Sequence, residues 1–428
     1  MRYLRIFFKN ILATYANIGI RVTQNFSYLI VARIAYKILA FLIFMFIARY
    51  LGAEAFGRLS YILSFVALFL FATDFGISGL LVREVAGESQ EKHTRYINNI
   101  ATLKFFLSAA AYLIMLLTTL ALKEKREFLI LTAMFGLAMV IDSYTTFLKS
   151  IFQVFERMKY DSISIIFEGV LKLCLIVVVI KCVPVDILFI SQIFLFVSIF
   201  TLLFTLVLIR TRFAYIKLDF DFKLWQKLFI GGIPFTFLMF FQVINFKIGT
   251  IMLSRMVNNI VTGWFGVAAR VAESVLIIPI TFTVAIFPAA SRLSKNSRTE
   301  LVLIFKSSFK LLILTSFLIA IVLFLGADFY IPLFFGPEFA KAASAVKILG
   351  FVVIPMFLRF FLDSFILTLN KVRILFFSYI GCTLLNIFAN LILIPKFSFL
   401  GACLGIMLSE TVIVIIYLFW LKKNLSIY

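Results

Sequence analysis

Long apolar runs separated by short charged clusters make up most of this chain. Twelve of them are long enough to cross a membrane, because a helix needs about 20 apolar residues to span roughly 30 Å of hydrocarbon. They are 28–50, 59–80, 102–121, 128–148, 162–181, 187–209, 228–254, 264–289, 308–327, 345–367, 374–394 and 399–421. The strands of a membrane barrel alternate apolar and polar positions, whereas runs such as LIVVVI are unbroken. The pattern predicts an all-α integral membrane protein with twelve transmembrane helices.

A basic connecting segment divides the predicted helices into two sets of six. We expect an N-lobe at 28–209, a basic cytoplasmic linker at 210–227 and a C-lobe at 228–428. The preceding segment, 1–27, carries four basic residues and no cleavable signal pattern. It is predicted to lie in the cytoplasm or on the membrane surface as an amphipathic helix.

The two halves repeat each other weakly. ARYLGAEAFG (48–57) aligns with SRMVNNIVTG (254–263), and residues 156–180 align with 370–394. Six spans in each half give both halves the same orientation, so the repeat is parallel. Transporters with such repeats bind their substrate between the halves, near the membrane midplane.

The composition agrees with a membrane protein. Of all residues, 63% are hydrophobic and 14% are charged, whereas a soluble domain has about 25% charged residues. An ordinary water-soluble enzyme is therefore excluded. The single histidine, His93, lies in a charged loop and gives no basis for histidine-dependent catalysis or a metal site. We predict neither an enzymatic activity nor a cofactor.

The formal net charge of +21 has two explanations, nucleic-acid binding and membrane topology. Of the 41 Lys and Arg residues, 25 lie in the N-terminus, the even-numbered loops and the C-terminus, and 10 lie in the odd-numbered loops. Because basic residues collect on the cytoplasmic side, this imbalance places both termini in the cytoplasm. It also explains most of the charge without a nucleic-acid partner. The prediction is a multi-pass protein of the cell membrane.

Several motifs occur in a recognisable order along the chain. The segment ARYLGAEAFGRLSYILSFVALFLFATDFGISGLLVREVA (48–86) contains an ARxLG sequence, an FG turn and an Asp-Phe-Gly before an Arg-Glu pair. It is followed by FERMKY (155–160), GWFGVAARVAESVLIIPITFTVAIFPAAS (263–291), LFFGPEFAKAASAVKIL (333–349) and LILIPKFSFLGACLGIMLSE (391–410). The set resembles the polysaccharide (O-antigen-type) flippases of the multidrug/oligosaccharidyl-lipid/polysaccharide exporter superfamily.

This resemblance implies two pseudo-symmetric six-helix lobes that form a V around a central cavity. It also implies export of polyprenyl-pyrophosphate-linked oligosaccharide units across the cytoplasmic membrane by alternating access, for surface polysaccharide assembly. The lipid II branch usually has two extra spans beyond these twelve, which favours a unit of O-antigen, capsule or exopolysaccharide. Membrane lipid is an expected partner, and polysaccharide polymerase machinery is a candidate partner.

Ionisable side chains inside the spans are informative, because each costs roughly 2.5–3.5 kcal/mol at the centre of an inserted helix. The basic ones are Arg33, Lys37, Lys172, Lys247, Arg270 and Arg359, and the acidic ones are Asp74, Asp142, Glu168, Glu273, Asp363 and Glu410. Spacings of three or four residues place Glu168 with Lys172, Arg270 with Glu273, and Arg359 with Asp363 on shared helix faces. Mutual neutralisation explains these pairs as well as a substrate role does.

Arg33 and Lys37 differ, because they share a helix face and carry the same sign. They lie at least about 7 Å inside the predicted span, at 1.5 Å per residue. Snorkelling is one explanation, and a hydrated cavity or a shared anion is the other. The pyrophosphate is the most charged part of the implied lipid carrier, and Arg and Lys both bind phosphate oxygens. We predict that Arg33 and Lys37, with Lys247, Arg270 and Arg359 of the second half, bind the pyrophosphate.

Three acidic residues are candidates for binding a coupling H⁺ or Na⁺: Asp74, Asp142 and Glu410. For Asp74 the competing explanation is helix capping or a salt bridge to Arg83. Asn386 and Asn390 are four residues apart and are expected to hydrogen-bond between helices rather than contact sugar.

Two other functions stay open at this point. A cation-coupled multidrug exporter of the same fold would favour acidic and aromatic side chains, and 17% of the residues are aromatic. The like-charged face of Arg33 and Lys37 argues against it. A polysaccharide polymerase or ligase would have a large outer loop with basic catalytic residues, whereas the longest outer connector predicted here is 328–344. A purely structural scaffold has no reason to keep twelve ionisable residues in the membrane.

Overall fold

The computed structural model describes residues 2–85, 90–213, 216–369 and 371–425, and no β-strand occurs among them. The N-lobe consists of α1 (Arg2–Ala67), α2 (Leu70–Asp74), α3 (Ile77–Val85), α4 (Gln90–Ala121), α5 (Arg126–Val154), α6 (Met158–Cys182) and α7 (Ile187–Arg212). The C-lobe consists of α8 (Phe222–Met256), α9 (Asn259–Val275), α10 (Ile277–Asn296), α11 (Arg298–Phe335), α12 (Ala342–Thr368), α13 (Val372–Phe397) and α14 (Phe399–Leu425). A short 3-10 helix, Pro337–Phe339, precedes α12. The predicted all-helical fold is confirmed.

Within the described residues, eleven helical segments are long and apolar enough to cross a membrane. The first, Ser27–Ala67, contains one predicted span and the beginning of the next, and its helical path is interrupted at Gly52. Gly52 has φ 75° and ψ 175°, a backbone conformation that favours glycine. The remainder of the second span is formed by α2 and α3. The predicted interfacial location of residues 1–27 stays a prediction, because their side chains through residue 26 lie outside the described set.

Two of the predicted spans are divided between more than one helix. Within the predicted span 59–80, α1 ends at Ala67, and a second break separates α2 from α3. At this second break, Phe75 and Gly76 have left-handed backbone conformations with φ angles of 47° and 66°. The span 264–289 breaks between α9 and α10. Pro279 lies three residues after this break and lacks the N–H group that would bond to the preceding turn of helix.

The two lobes meet closely at one end of the molecule, where α1 crosses α9. A Cβ atom on Gly57 would lie 1.7 Å from the carbonyl oxygen of Asn259, and one on Gly263 would lie 2.1 Å from that of Ala53. Small residues permit such an approach between membrane helices. We call these four residues the glycine seam and this end of the molecule the seam end. Ala53 aligns with Asn259 and Gly57 with Gly263 in the sequence repeat, so the contact is reciprocal about the pseudo-two-fold axis.

Polar contacts join the lobes at the same end. Arg255, near the end of α8, forms an ion pair with Glu124, and its Nε donates a hydrogen bond to the hydroxyl of Tyr61 at 2.9 Å. Glu338, in the 3-10 helix of the C-lobe, accepts a hydrogen bond from the backbone N–H of Ala53 at 3.2 Å. The turns at this end therefore connect each lobe to the other.

At the opposite end, which we call the basic end, the connection between the lobes is attached to α4. Three alternate backbone N–H groups donate to polar side chains of that helix: Lys217 to Asn98 (3.0 Å), Asp219 to Thr102 (3.1 Å) and Asp221 to Asn99 (2.7 Å). A hydrogen bond from Arg95 to Asp221 lowers the pKa of that carboxyl from its ordinary value. The connection is thus attached to the N-lobe from Lys217 to Asp221, the residue before α8. The predicted domain limits at 210–227 stay a prediction.

Candidate functional site

A cavity of about 420 Å³ lies between the lobes. This volume is typical of sites for small molecules. Its walls come from α1, α5 and α6 of the N-lobe and from α10 of the C-lobe, and they comprise Arg33, Tyr36, Lys37, Asp142, Thr146, Lys149, Gln153, Asp161, Ile165, Glu168, Ile277 and Ile280. Gln153 and Asp161 flank the turn between α5 and α6 at the basic end. The cavity therefore extends from the interior toward the basic end.

Arg33 and Lys37 line this cavity from the same face of α1. Both side chains are exposed. Among the residues that the structure describes, neither forms a hydrogen bond or an ion pair. Beside this face, α1 packs on α6, where Gly169 leaves room for Tyr36 and Leu39. The cations are therefore held toward the cavity with their donor groups available.

A second group of charges adjoins Lys37 from the C-lobe. Lys247 Nζ lies 2.6 Å from Glu273 Oε1, and Arg270 Nη1 lies 3.5 Å from Glu273 Oε2. Lys37, Arg270 and Glu273 line one pocket of about 50 Å³ next to the main cavity. The guanidinium of Arg270 also lies 3.8 Å from the ring centroid of Phe44 on α1. Four of the five predicted pyrophosphate-binding residues are thus close together, two from each lobe.

Arg359, the fifth predicted binding residue, is located elsewhere. Its side chain is fully buried inside the C-lobe, 2.6 Å from Glu410 and 3.2 Å from Asp363. It does not line the cavity. Glu410, a predicted coupling residue, is equally buried. On the same side of the C-lobe, Asn386 donates to the side-chain oxygen of Asn245 at 2.8 Å, which confirms the predicted hydrogen bond between helices for this residue. Asn390 donates instead to the side-chain oxygen of Asn386 on its own helix, at 3.0 Å.

The other two predicted coupling acids have different surroundings. Asp74 forms an ion pair with Lys104 and accepts a hydrogen bond from Ser78. The predicted alternative partner, Arg83, has a side chain outside the described residues. Asp142 lines the cavity directly. It is the one of the three predicted acids that faces the cavity.

The cavity is also lined by three residues that were not predicted from the sequence: Lys149, Asp161 and Tyr36. Lys149 lies 3.1 Å from Glu168 Oε2, and the hydroxyl of Tyr36 donates to Glu168 Oε1 at 3.0 Å. Lys149 lies just after the predicted span 128–148 and was therefore expected in a loop, whereas α5 continues to Val154. A signal was present, because polar residues at positions 142, 146, 149 and 153 repeat at helical spacing.

The charges in and beside the cavity favour an anion. The cations are Arg33, Lys37, Lys149, Lys172, Lys247 and Arg270, and the carboxylates are Asp142, Asp161, Glu168 and Glu273. With every group ionised, the cations exceed the carboxylates by two. Glu168 is shared by Lys149 and Lys172, and Glu273 by Lys247 and Arg270. Each of these two groups keeps one positive charge in excess, and Arg33 and Lys37 add two more, which Asp142 and Asp161 oppose.

Known proteins resemble this chain in sequence and in fold. A family model described as polysaccharide biosynthesis protein matches residues 22–294. The capsular polysaccharide biosynthesis protein CapF of Staphylococcus aureus is 24% identical over 413 residues, which cover 94% of this chain and 99% of that protein.

Two solved structures show the same architecture. An inward-facing multidrug resistance MATE family transporter of the MOP superfamily matches with a TM-score of 0.75 at 14% identity, covering 91% of this chain and 94% of that one. An outward-facing transporter of the same description matches with a TM-score of 0.65 at 13% identity, covering 94% and 95%. The V-shaped arrangement of two six-helix lobes is therefore confirmed. Together with the match over more than half of the sequence, these findings support a membrane exporter or flippase, and the chain belongs to the polysaccharide biosynthesis protein family.

Proposed function

We propose that this protein translocates polyprenyl-pyrophosphate-linked oligosaccharide units across the cytoplasmic membrane by alternating access, for surface polysaccharide assembly. One observation carries the proposal. The cavity between the lobes contains two unpaired cations, Arg33 and Lys37, and two further cations of the C-lobe, Lys247 and Arg270, lie beside them. The family match and the capsular relative support a saccharide substrate.

The pyrophosphate would bind first to the free donors of α1. Arg33 offers a planar fork of N–H groups to phosphate oxygens, and Lys37 offers a point charge. A pyrophosphate next to Lys37 would compete with Glu273 for Lys247 and Arg270. Exchange of these partners would draw the C-lobe cations toward the substrate, so binding favours closure of the cavity.

The lipid and the sugar would occupy different surroundings. Apolar residues on α1 and α10 next to the cavity are exposed: Ile34 and Ile38 on α1, and Ile278 and Val284 on α10. The polyprenyl chain would leave the cavity between these helices and remain in the bilayer. The sugars would contact the polar wall formed by Thr146, Gln153 and Asp161.

The direction of transport follows from the distribution of charge. Both termini and the basic end are proposed to face the cytoplasm, because Lys and Arg collect there. The cavity then receives its substrate from the cytoplasm, while the glycine seam keeps the lobes together on the other side. Transport by this route would be coupled to H⁺ or Na⁺, or would follow the substrate gradient.

Reconstitution tests this function directly. Proteoliposomes would be loaded with a fluorescent polyprenyl-pyrophosphate-linked oligosaccharide, and its appearance in the other leaflet would be measured by quenching. Each hydrogen bond to a charged phosphate contributes about 1.5–3 kcal/mol. The double variant Arg33→Gln/Lys37→Gln should therefore lower the transport rate by about a hundredfold or more, since each 1.4 kcal/mol is a factor of ten.

The matched control removes two positive charges far from the cavity. Lys422 and Lys423 are exposed at the end of α14, so Lys422→Gln/Lys423→Gln should transport at the wild-type rate. Wild-type transport by the Arg33/Lys37 double variant, at equal protein incorporation, would exclude the proposed anion site. Equal transport of a neutral polyprenol-linked oligosaccharide would exclude the pyrophosphate as the recognised group.

A multidrug exporter is the second candidate function. The observation that favours it is the presence of Asp142 and Asp161 in the cavity wall, where carboxylates would attract an organic cation. Competition separates the two functions. An organic cation such as rhodamine 6G should leave oligosaccharide transport unchanged if the anion site is correct, whereas accumulation of the dye by the proteoliposomes would support the multidrug function.

A further inference from the structure

A second cavity lies between the lobes at the seam end. Its volume is about 380 Å³, which is typical of sites for small molecules. The N-lobe contributes α1, the turn between α4 and α5 and the start of α5, and the C-lobe contributes the end of α8 and the start of α9. We call this space the outer cavity. Six charged residues line it: Glu54, Arg58, Glu124, Lys125, Glu127 and Arg255.

The outer cavity adjoins the glycine seam. Asn259, whose backbone carbonyl belongs to the seam, also lines the cavity, and Arg58 follows Gly57 directly on α1. A substrate that passes between the lobes must leave where α1 and α9 separate. The outer cavity therefore lies on the route by which the oligosaccharide would leave the protein.

The charges of the outer cavity are balanced. With every group ionised, three cations oppose three carboxylates, whereas the cations in and beside the main cavity exceed the carboxylates by two. A site without net charge gives no long-range attraction to a pyrophosphate or to an organic cation. The ligand that fits this balance is polar and uncharged.

The ion pairs of the outer cavity present donors next to acceptors. Arg58 lies 2.6 Å from Glu127, and Arg255 is paired with Glu124. The hydroxyl of Tyr61 accepts a hydrogen bond from Arg255. A guanidinium offers N–H donors in one plane, a carboxylate offers acceptor oxygens, and a hydroxyl group both donates and accepts. Two neighbouring hydroxyls of a sugar ring can therefore bond to the cation and to the carboxylate of one pair.

Other hydrogen-bonding groups in the outer cavity are free to bind a ligand. Glu54 and Lys125 are exposed, and within the part of the chain that the structure describes their side chains form no hydrogen bond or ion pair. The side-chain oxygen of Asn259 accepts from Ser254 at 2.9 Å, so the N–H donors of the same amide stay available. Free groups thus come from both lobes, with Glu54 and Lys125 on one side and Asn259 on the other.

We propose that the outer cavity is a second saccharide site, which binds uncharged sugar residues of the transported oligosaccharide on the far side of the membrane. This inference rests on the proposed function, which turns the seam end away from the cytoplasm. A sugar bonded to α1 and α9 at once bridges the lobes and binds best while the seam is closed. A ligand shifts an equilibrium toward the state that it binds more tightly. Saccharide that accumulates outside therefore holds the seam closed and slows further export.

Binding of the saccharide without its lipid tests the site. The probe is the oligosaccharide released by mild acid from the lipid-linked substrate used for reconstitution, and calorimetric titration of the full-length protein in nanodiscs measures its Kd. Glu54→Ala/Lys125→Ala removes two charged hydrogen-bonding groups without changing the net charge. Its Kd should be at least about tenfold higher, because a hydrogen bond to a charged group contributes that much. The matched control is Arg126→Ala/Glu300→Ala, since both residues are exposed and lie outside the cavity.

Each binding result decides the assignment. A wild-type Kd in Glu54→Ala/Lys125→Ala would overturn it, and so would the absence of binding to the wild type at millimolar saccharide. Binding that is lost in Arg33→Gln/Lys37→Gln but kept in the outer variant would place the sugar in the main cavity and would also overturn it. Because Glu54 and Lys125 are exposed, the outer variant should keep the wild-type Tm.

Proteoliposomes test the effect on transport. Released oligosaccharide at ten times its Kd, supplied only in the compartment that the seam end faces, should slow translocation of the fluorescent lipid-linked substrate by about tenfold. Glu54→Ala/Lys125→Ala should be inhibited much less. Equal inhibition of this variant and the wild type would contradict a site in the outer cavity.

The two measurements separate this inference from the proposed function. Translocation by the wild type that bound saccharide does not slow would refute the control by external saccharide and leave the flippase function intact. Absence of any translocation by the wild type would refute the flippase function, whereas the calorimetric titration does not depend on translocation.

Discussion

Replacement of Gly57 by Ala is expected to separate the two lobes at the seam end. The new Cβ would lie 1.7 Å from the carbonyl oxygen of Asn259, whereas a close C···O contact is about 3.3 Å. Both atoms belong to helices, so no flexible side chain can move aside. The helices must separate by about 1.6 Å to restore that contact.

The energetic effect can be bounded from the same geometry. Overpacking of a close contact typically costs about 1–3 kcal/mol. A bias of this size between two conformations corresponds to a change of about 5- to 150-fold in their ratio. We therefore expect Gly57→Ala to shift the population from the state with a closed seam toward a state in which this end is open. Gly263→Ala should act in the same direction, because its Cβ would lie 2.1 Å from a backbone oxygen of α1.

Distance measurements between spin labels would detect this shift. Lys123 in the N-lobe and Lys396 in the C-lobe are exposed at the seam end and accept labels after substitution by Cys. The exposed native cysteines, Cys174 and Cys182, would first be replaced by Ser. Electron–electron resonance in nanodiscs should show a longer mean distance, or a new long-distance population, in Gly57→Ala.

Two other glycines supply the matched controls. A Cβ on Gly79 or Gly381 would meet no atom within 4 Å, so Ala at either position should leave the distance distribution unchanged. If Gly57→Ala gave the wild-type distribution and the wild-type melting temperature, the seam would tolerate the added atom. The glycine seam would then not be what limits the separation of the lobes.

Other predictions concern ion pairs elsewhere in the molecule. Arg255→Met removes the ion pair with Glu124, but Arg255 is 47% exposed. We therefore expect the free energy of unfolding to fall by less than about 1 kcal/mol and the spin-label distance to increase less than in Gly57→Ala. Lys104→Met leaves the carboxylate of Asp74 without its buried partner and should destabilise the protein by about 3–5 kcal/mol. The loss would be measured as a lower Tm, and the additional change Asp74→Asn should restore the Tm. The bond from Arg95 lowers the pKa of Asp221 in the folded protein. The stabilisation that this bond gives the folded protein is therefore fully present above the ordinary pKa of an Asp carboxyl, about 4. It is lost as the pH falls through the lowered pKa of Asp221. The protection of the linker amides against hydrogen exchange, relative to the intrinsic exchange rate at each pH, should fall on acidification, and in Asp221→Asn it should be low at every pH.

The helical architecture could be predicted from the sequence because it depends on local pattern. Unbroken apolar runs specify membrane helices whatever their neighbours are. The like-charged pair Arg33 and Lys37 was also recognisable, since four-residue spacing alone places both on one face. A shared helix face of this kind can be predicted without knowledge of the tertiary contacts.

Pairing between distant helices could not be predicted in this way. Lys104 and Lys149 lie near the ends of predicted spans, where a basic residue normally contacts water. Their carboxylate partners, Asp74 and Glu168, are on other helices. Arg359 shows the same limit, because the local spacing indicated Asp363 whereas the shorter contact is with Glu410. Burial of these cations is decided by packing between helices.

The reciprocal contact of the glycine seam has an implication for ancestry. A contact on a two-fold axis uses the same patch on both partners, and here Gly57 and Gly263 exchange places between the repeats. Two identical six-helix chains inserted in one orientation could form this crossing as a homodimer. Fusion of duplicated genes would then make the association independent of concentration. The sequence of each half could then diverge while the glycine seam continued to hold the halves together. The first half acquired unpaired cations in the cavity, and the second acquired buried acidic residues paired with Arg359.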